Sequence, residues 1–244
     1  MSTSIGDAFL DGTKYKNLAV SDQKQGVTQP FLHAVLREGP RFSLPSPETL
    51  DLGTLALRTA IETRRSLRVY QETPLALDEL SFLLWCSQGV KPESTDSHTL
   101  RTVPSAGARH AFETLLLVNR VEGLSPGVYQ YDAATHGLIQ WKSPEDVTEQ
   151  VTEACLNQRI VSNSAVTFIW VAERVRMAWR YGERALRYLF LDAGHVCQNL
   201  YLAAESVGAG VCAIGAFDDD QLNQLLGLNG VDQFAVYLAG TGKR

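Results

Sequence analysis

The sequence has little cysteine: Cys86, Cys155, Cys197 and Cys212 in 244 residues, spaced 69, 42 and 15 apart. That leaves no C-x-x-C pair and no zinc ladder. Three of the four sit in apolar runs, which predicts buried, reduced thiols of a cytoplasmic protein rather than a disulfide framework. Positive charge is also short, 22 Lys and Arg against 27 Asp and Glu for a net of −5. A non-specific nucleic-acid binder needs the opposite balance. No apolar run is long. The densest covers residues 166–172, far short of the roughly 18 that a membrane span needs. The first residues carry no basic n-region and no apolar stretch, so no secretory signal is expected. There is no G-x-S-x-G elbow, no H-E-x-x-H and no internal repeat.

What is present is ordinary for a folded chain, 45% hydrophobic and 20% charged. The length allows one large domain or two small ones. Four of the nine prolines, Pro30, Pro40, Pro45 and Pro47, lie near the start. We read residues 1–53 as an N-terminal arm with one short helix around 31–37, and 54–244 as the body. Helical spacing predicts helices over 55–65, with Leu57, Ala60 and Ile61 on one face, and over 77–88, with Leu80, Leu83 and Leu84. Gly89 suits a left-handed C′ position. A strand is expected over 113–121, then a half-exposed strand from Gly127, a turn at His136-Gly137 and a returning strand. Ser143-Pro144-Glu145-Asp146 predicts a helix start. Residues 165–172 read as a buried strand and 183–206 as a central helix that Gly208 ends. A strand or extended turn follows over 211–217. Asp218 should cap a short helix, and 233–239 the last strand. The mixed order argues α+β rather than βαβ winding.

Four constellations have chemical potential. Arg64-Arg65-Ser66-Leu67-Arg68 puts three guanidiniums and a hydroxyl within five residues, a donor set for phosphate oxygens. Alone it also suits a solvated helix end. Pro104-Ser105-Ala106-Gly107-Ala108-Arg109-His110 is small and open, fit for a flat ligand or for a plain loop. The glycines of 208–215 are not a dinucleotide fingerprint, because Ala213 stands where the third glycine is needed and a helix precedes them. Arg174, Arg176, Arg180, Arg184 and Arg187 give a local +3 against Glu173 and Glu183. That stretch suits a substrate entrance, or a solvated helix face. Asp192 and His195, three apart on the central helix, suit packing better than a metal.

In this order the pieces resemble the nitroreductase superfamily of FMN flavoproteins, and within it the branch of SagB-type azoline dehydrogenases. The residues that carry it are Arg64-Arg65-Ser66-x-Arg68-x-Tyr70, the 80–89 helix end and Arg101-Thr-Val-Pro-Ser-Ala-Gly107. The Gly127-Val-Tyr-Gln-Tyr strand, Arg187-Tyr188, Asp192-Ala-Gly-His195-x-x-Gln198-Asn199, Ile214-Gly-Ala-Phe217 and Gly242-Lys243-Arg244 complete the set. The resemblance implies an α+β fold with a mostly antiparallel central sheet flanked by helices, and an intertwined homodimer with FMN at the interface. It implies an FMN-dependent oxidoreductase acting on a small or peptide-borne substrate, with NAD(P)H as a possible electron donor. A flavin-binding partner subunit of a biosynthetic complex is the alternative.

By position, Arg64, Arg65, Ser66 and Arg68 would hold the phosphate, ribityl chain and N1/O2 edge. Pro104, Ser105, Ala106 and Gly107 of the partner chain would lie against the ring. Main chain at Ile214, Gly215 and Ala216 would meet the N5 and O4 side, and Lys243 and Arg244 would return to the phosphate. Many family members have Asn at the position of Ala108 and Gln-Pro-Trp at His110–Phe112, and an acidic residue at that of Gly215; this chain departs from all three. Where the azoline branch has a Lys-Tyr pair in proton removal, this chain has Arg187-Tyr188. Arginine stays protonated, so Tyr188 is the candidate acid or base, with a packing aromatic as the alternative.

Overall fold

The computed structural model describes residues 4–95, 98–141 and 144–244. The helix start expected at Ser143 lies partly outside them. The elements in chain order are α1 (Ile5–Gly12), β1 (Arg41–Ser43), α2 (Leu57–Thr63), α3 (Leu77–Gln88), β2 (Phe112–Val118), β3 (Gly127–Asp132) and β4 (Gly137–Trp141). There follow α4 (Val147–Ala154), α5 (Arg159–Asn163), β5 (Val166–Glu173), α6 (Arg174–Tyr181), α7 (Ala185–Ser206), β6 (Ala209–Ile214), α8 (Asp219–Leu225) and β7 (Gln233–Lys243). The seven strands form one sheet in the order β1-β4-β3-β2-β5-β7-β6, and each neighbouring pair is antiparallel. No helix among the described residues is long and apolar enough to cross a membrane.

Period-two alternation sends each strand's side chains to two separate cores. Phe112, Leu116 and Val118 of β2 join Leu80, Leu83 and Leu84 of α3 and Leu189, Val196 and Leu200 of α7. Leu115 and Leu117 turn the other way and meet Val147 and Val151 of α4 and Leu222 of α8. With both faces covered, the strand from Gly127 is buried along its whole length instead of half-exposed. Its Gln130 is reached by the arm: the Arg37 N–H donates to Gln130 Oε1 (2.9 Å), and Gln130 Nε2 donates to the Val35 carbonyl (3.2 Å).

Four further local expectations are corrected. The arm has no helix at 31–37. The carbonyls of Phe31 and His33, which a helix would use internally, instead accept hydrogen bonds from Arg176. The arm's helix is α1, capped by Ser4, whose side chain accepts from the Asp7 N–H. Gly89 is not left-handed but extended (φ −58°, ψ 137°). A glycine is needed there because a Cβ would lie 2.4 Å from Trp85 Cδ1. On α2 only Ala60 faces the core, while Leu57 and Ile61 are more than half exposed. The central helix begins at Ala185, after a 3₁₀ turn over Gly182–Arg184.

Candidate functional site

Past α2 the chain turns extended at Arg64 and runs along the sheet edge. Ser66 bridges Val211 in parallel sense, the Leu67 N–H donates to the Val211 carbonyl (2.9 Å), and the Gln71 N–H to that of Lys243 (3.0 Å). Two glycines allow this close approach. A Cβ on Gly210 would stand 2.5 Å from Leu67, and one on Gly242 2.9 Å from Tyr70. The sheet edge thereby gathers three segments the sequence holds far apart: 64–71, 209–214 and 242–244.

Tyr201 of α7 is the hub of this corner. Its hydroxyl accepts from the Ala213 N–H (3.0 Å) and lies 3.1 Å from Ser66 Oγ. The guanidinium of Arg64 stands 5.4 Å from the Tyr201 ring centroid. With the Tyr201 proton directed to Ser66, the Ser66 proton is left for a ligand. The cations around the hub divide into two groups. Lys243 is ion-paired with Glu79 and donates to the Val207 carbonyl (2.8 Å), and Arg244 is ion-paired with Glu205. Glu205 also accepts from Thr63 Oγ1 (2.7 Å). Arg64, Arg65 and Arg68 have no carboxylate partner among the described residues; Arg68 reaches only the Ser66 carbonyl, at 3.4 Å. Gly215 and Ala216 are exposed just beyond β6, whereas the Ile214 side chain is buried in the second core. Only main chain is therefore available there.

The 104–110 loop is seated on the same helix at a second station. Ser105 Oγ donates to Asp192 (2.6 Å), the Ala106 N–H donates to the same carboxylate (3.2 Å), and the His110 N–H donates to Ser105 Oγ (2.9 Å). The Ser105 hydroxyl is thus consumed between the loop and α7; Pro104 is exposed, while residues 105–107 are half-buried with Tyr181 and Arg180 over Gly107. Gly107 has φ +58°, and a Cβ there would meet Tyr181 Oη at 2.5 Å, so this residue must be glycine. Burial is the first cause, and raises the Asp192 pKa, against the hydrogen bonds from Ser105 and Ala106. Burial, with the charges of Arg101 and Arg109, pushes the His110 pKa down to about 3. That excludes His110 as a proton carrier at neutral pH. Asp192 and Tyr201 are nine residues apart, about 13 Å along the helix axis. One chain therefore holds its 104–107 and 64–68 segments at separate stations.

The arginine stretch divides: Arg176, Arg184 and Arg187 bind the arm, whereas Arg174 pairs with Glu183 (3.8 Å) and Arg180 is exposed, as on a solvated helix face. Arg176 is buried, pairs with Glu113 at 2.8 Å, and donates to the carbonyls of Phe31 (2.9 Å), His33 (3.3 Å) and His110 (3.1 Å). Trp179 Nε1 donates to the Val27 carbonyl (2.8 Å). Arg184 donates to the Thr13 carbonyl (2.7 Å), and Arg187 to Thr13 Oγ1 (2.6 Å) and the Leu10 carbonyl (2.7 Å). Two cations thus hold the C-terminal end of α1, where the helix dipole favours them. Beside them Tyr188 packs against Tyr181, ring centroids 4.5 Å apart.

Tyr201, Glu79 and Glu205 were not singled out by the sequence reading. Tyr201 had one available signal: a ring with a polar tip next to the apolar stripe of a long helix.

Comparison with known proteins identifies the family. The nitroreductase family profile matches residues 61–243. A candidate nitroreductase of Methanocaldococcus jannaschii, MJ1384, is 36% identical over 176 residues, which is 72% of this chain and 86% of that protein. A crystal structure of a candidate nitroreductase from Anabaena variabilis superposes with a TM-score of 0.64 at 32% identity, over 77% of this chain and 38% of that one. The trifolitoxin-processing protein TfxB of Rhizobium leguminosarum bv. trifolii is 27% identical over 219 residues, 82% of this chain. This chain spans only 57% of TfxB. The chain belongs to the nitroreductase family, a family of oxidoreductases.

Proposed function

We propose that this protein is an FMN-dependent oxidoreductase, working as a homodimer, that exchanges hydride between the flavin N5 and a small or peptide-borne substrate. The observation that carries the reading is the pair of guanidiniums, Arg64 at the Tyr201 ring and Arg68 at the Ser66 carbonyl, left without a carboxylate among the described residues beside the Ser66–Tyr201–Ala213 network, with Arg65 adjacent in sequence. Such a donor set fits a phosphate, which takes guanidinium forks and a hydroxyl proton. Bound there, FMN would supply the two-electron chemistry.

The chain's own part is binding and orientation. Arg68 is the candidate for positive charge near the ring N1 edge, and main chain at Ile214, Gly215 and Ala216 for its polar side. Pro104, Ser105, Ala106 and Gly107 from a second copy are the candidates for the ring face. Lys243 and Arg244 reach a phosphate only by leaving Glu79 and Glu205, so their role is secondary. Two observations support the homodimer. The two stations on α7 are about 13 Å apart within one chain. Just before the Asp192 station α7 exposes Phe190 (55%) and Leu191 (59%), and between the stations Gly194 opens onto free space. An apolar patch of this kind marks an interface. Tyr188 is the candidate proton carrier.

The likeness to TfxB favours a second reading, a flavin-binding subunit that turns over only within a processing complex. The test is the visible spectrum of the purified protein. Yellow protein that bleaches with NADH or NADPH and recovers in air supports the first reading. Yellow protein that neither nicotinamide bleaches, active only with partner proteins, supports the second. Colourless protein that does not take up added FMN defeats both.

A further inference from the structure

We propose that Tyr15, on the N-terminal arm, is a positioning residue for the Tyr188 hydroxyl, so that the arm completes the site it covers. The two hydroxyl oxygens are 2.7 Å apart. Arg184 Nε donates to Tyr188 Oη (3.2 Å), and its guanidinium lies 4.4 Å from the Tyr15 ring centroid. The titratable and charged groups facing Tyr188 are Tyr15 from the segment after α1, Tyr181 from α6, and Arg184 and Arg187 beside Tyr188 itself. Arg184 and Arg187 also hold Thr13 and Leu10. The residues that polarise Tyr188 are therefore the ones that seat Tyr15 over it.

The chemistry follows from the donor inventory. Arg184 gives protons and accepts none, so Tyr188 Oη accepts from it. When Tyr188 passes its proton to a basic atom of a substrate, the oxygen is left negative. The Tyr15 O–H then turns to donate to it, as a second donor beside Arg184. Burial alone would keep Tyr188 protonated. The hydrogen bonds from Tyr15 and Arg184, with the charges of Arg184 and Arg187, outweigh it and bring Tyr188 below the ordinary tyrosine range, while the same contact raises Tyr15. What Tyr188 does to a substrate rests on the redox reading above; the coupling of the two hydroxyls does not.

The experiment is an NMR titration of the full-length, FMN-loaded protein with its eight tyrosines ring-labelled with carbon-13, Tyr188→Phe giving the assignment. Tyr188 is expected to titrate below the ordinary tyrosine value. Tyr15→Phe, which keeps the ring on Arg184, should raise its midpoint by about one pH unit, the scale of one hydrogen bond to the charged form. Tyr181→Phe should leave it within a few tenths. An unmoved midpoint in Tyr15→Phe, or an equal shift in Tyr181→Phe, overturns the proposal. So does a shift seen in Tyr15→Ala but not in Tyr15→Phe, which would assign the effect to packing. The absorbance of the same samples separates the two claims. Wild type that takes up no FMN refutes the redox reading, while the titration still judges Tyr15.

Discussion

Arg176→Ala tests whether the arginine stretch is a scaffold for the arm or a surface for an anion. The Arg176 side chain is 5% exposed and sits 2.8 Å from the Glu113 carboxylate, itself 10% exposed. Its removal takes away the paired cation and leaves only the buried Arg101 guanidinium acting on this carboxylate, a change that costs up to about 3–5 kcal/mol. The carbonyls of Phe31, His33 and His110 lose a donor as well. Those of the arm can rehydrate if it lifts, so they add little beyond the charge effect. Domains of this kind are stable by on the order of 5–15 kcal/mol. For a chain of this size each kcal/mol moves the melting midpoint by about 2–4 °C, so the variant should melt lower by up to roughly 6–20 °C. Thermal and urea melts read the loss, and limited proteolysis should show faster cleavage within residues 13–37. Arg176→Met with Glu113→Leu replaces the pair by apolar groups of similar bulk and should recover much of the loss. A cost below about 1 kcal/mol in the single variant, or no recovery in the double, refutes the reasoning. Arg176 would then be free for an anion after all.

Arg68→Ala should weaken FMN binding roughly 10–100-fold, the value of one charge-assisted hydrogen bond, in a flavin fluorescence titration. Lys243→Met, whose charge is spent on Glu79, should cost stability more than flavin affinity, and equal affinities for the two variants would count against the Arg64–Arg68 corner. Tyr201→Phe removes the partner of Ser66 and of the Ala213 N–H, so chemical denaturation should show a loss of about 1–2 kcal/mol; an unchanged midpoint would dismiss Tyr201 as a hub. Gly107→Ala forces a side chain into a positive-φ site against Tyr181 and should cost about 1–3 kcal/mol, with melts as the check. His110 is held neutral in the fold down to about pH 3, while the unfolded chain takes up the proton near 6.5. Between those values the unfolded state binds more protons, so stability falls as pH falls. His110→Asn should flatten this part of the stability curve, and an acid limb as steep as in wild type would contradict the burial of a neutral imidazole.

The sheet, the two long helices and the capped helix at Asp218 were legible because each is fixed by local pattern. Leu80, Leu83 and Leu84 repeat at helical spacing, the 165–172 run is continuously apolar, and the Asp218 side chain accepts the Gln221 N–H as its position predicts. The differences come from contacts that the local pattern does not show, two of them made by parts of the chain distant in sequence. Gln130 looked solvent-facing until the arm covered it. Gly89 looked like a left-handed stop, but Trp85 of its own helix occupies the space. The 31–37 segment has helical residues, yet its carbonyls are claimed by Arg176 from 145 residues away.

The two arginine clusters make the same point about the site. On paper Arg64–Arg68 and Arg174–Arg187 are alike in being dense in guanidinium. What separates them is the identity of their acceptors. Arg176, Arg184 and Arg187 spend most of their arm contacts on main-chain carbonyls, which any arm sequence provides, so the arm's side chains, Thr13 and Tyr15 apart, announce little of the match. Arg64, Arg65 and Arg68 have no carboxylate partner among the described residues, while Glu79 and Glu205 are taken by Lys243 and Arg244. The C-terminal cations are thus neutralised and the Arg64–Arg68 ones are not. Charge reversal at Glu205 is the sharp test of this balance. Glu205→Lys would leave Arg244 unpaired and add positive charge to the corner. It should tighten an inorganic phosphate probe at low salt, and lose that gain as salt screens the exposed charges. An affinity for phosphate that does not respond to the charge at 205 would mean that Arg64, Arg65 and Arg68 are ordinary solvated cations, and that the corner is not an anion site.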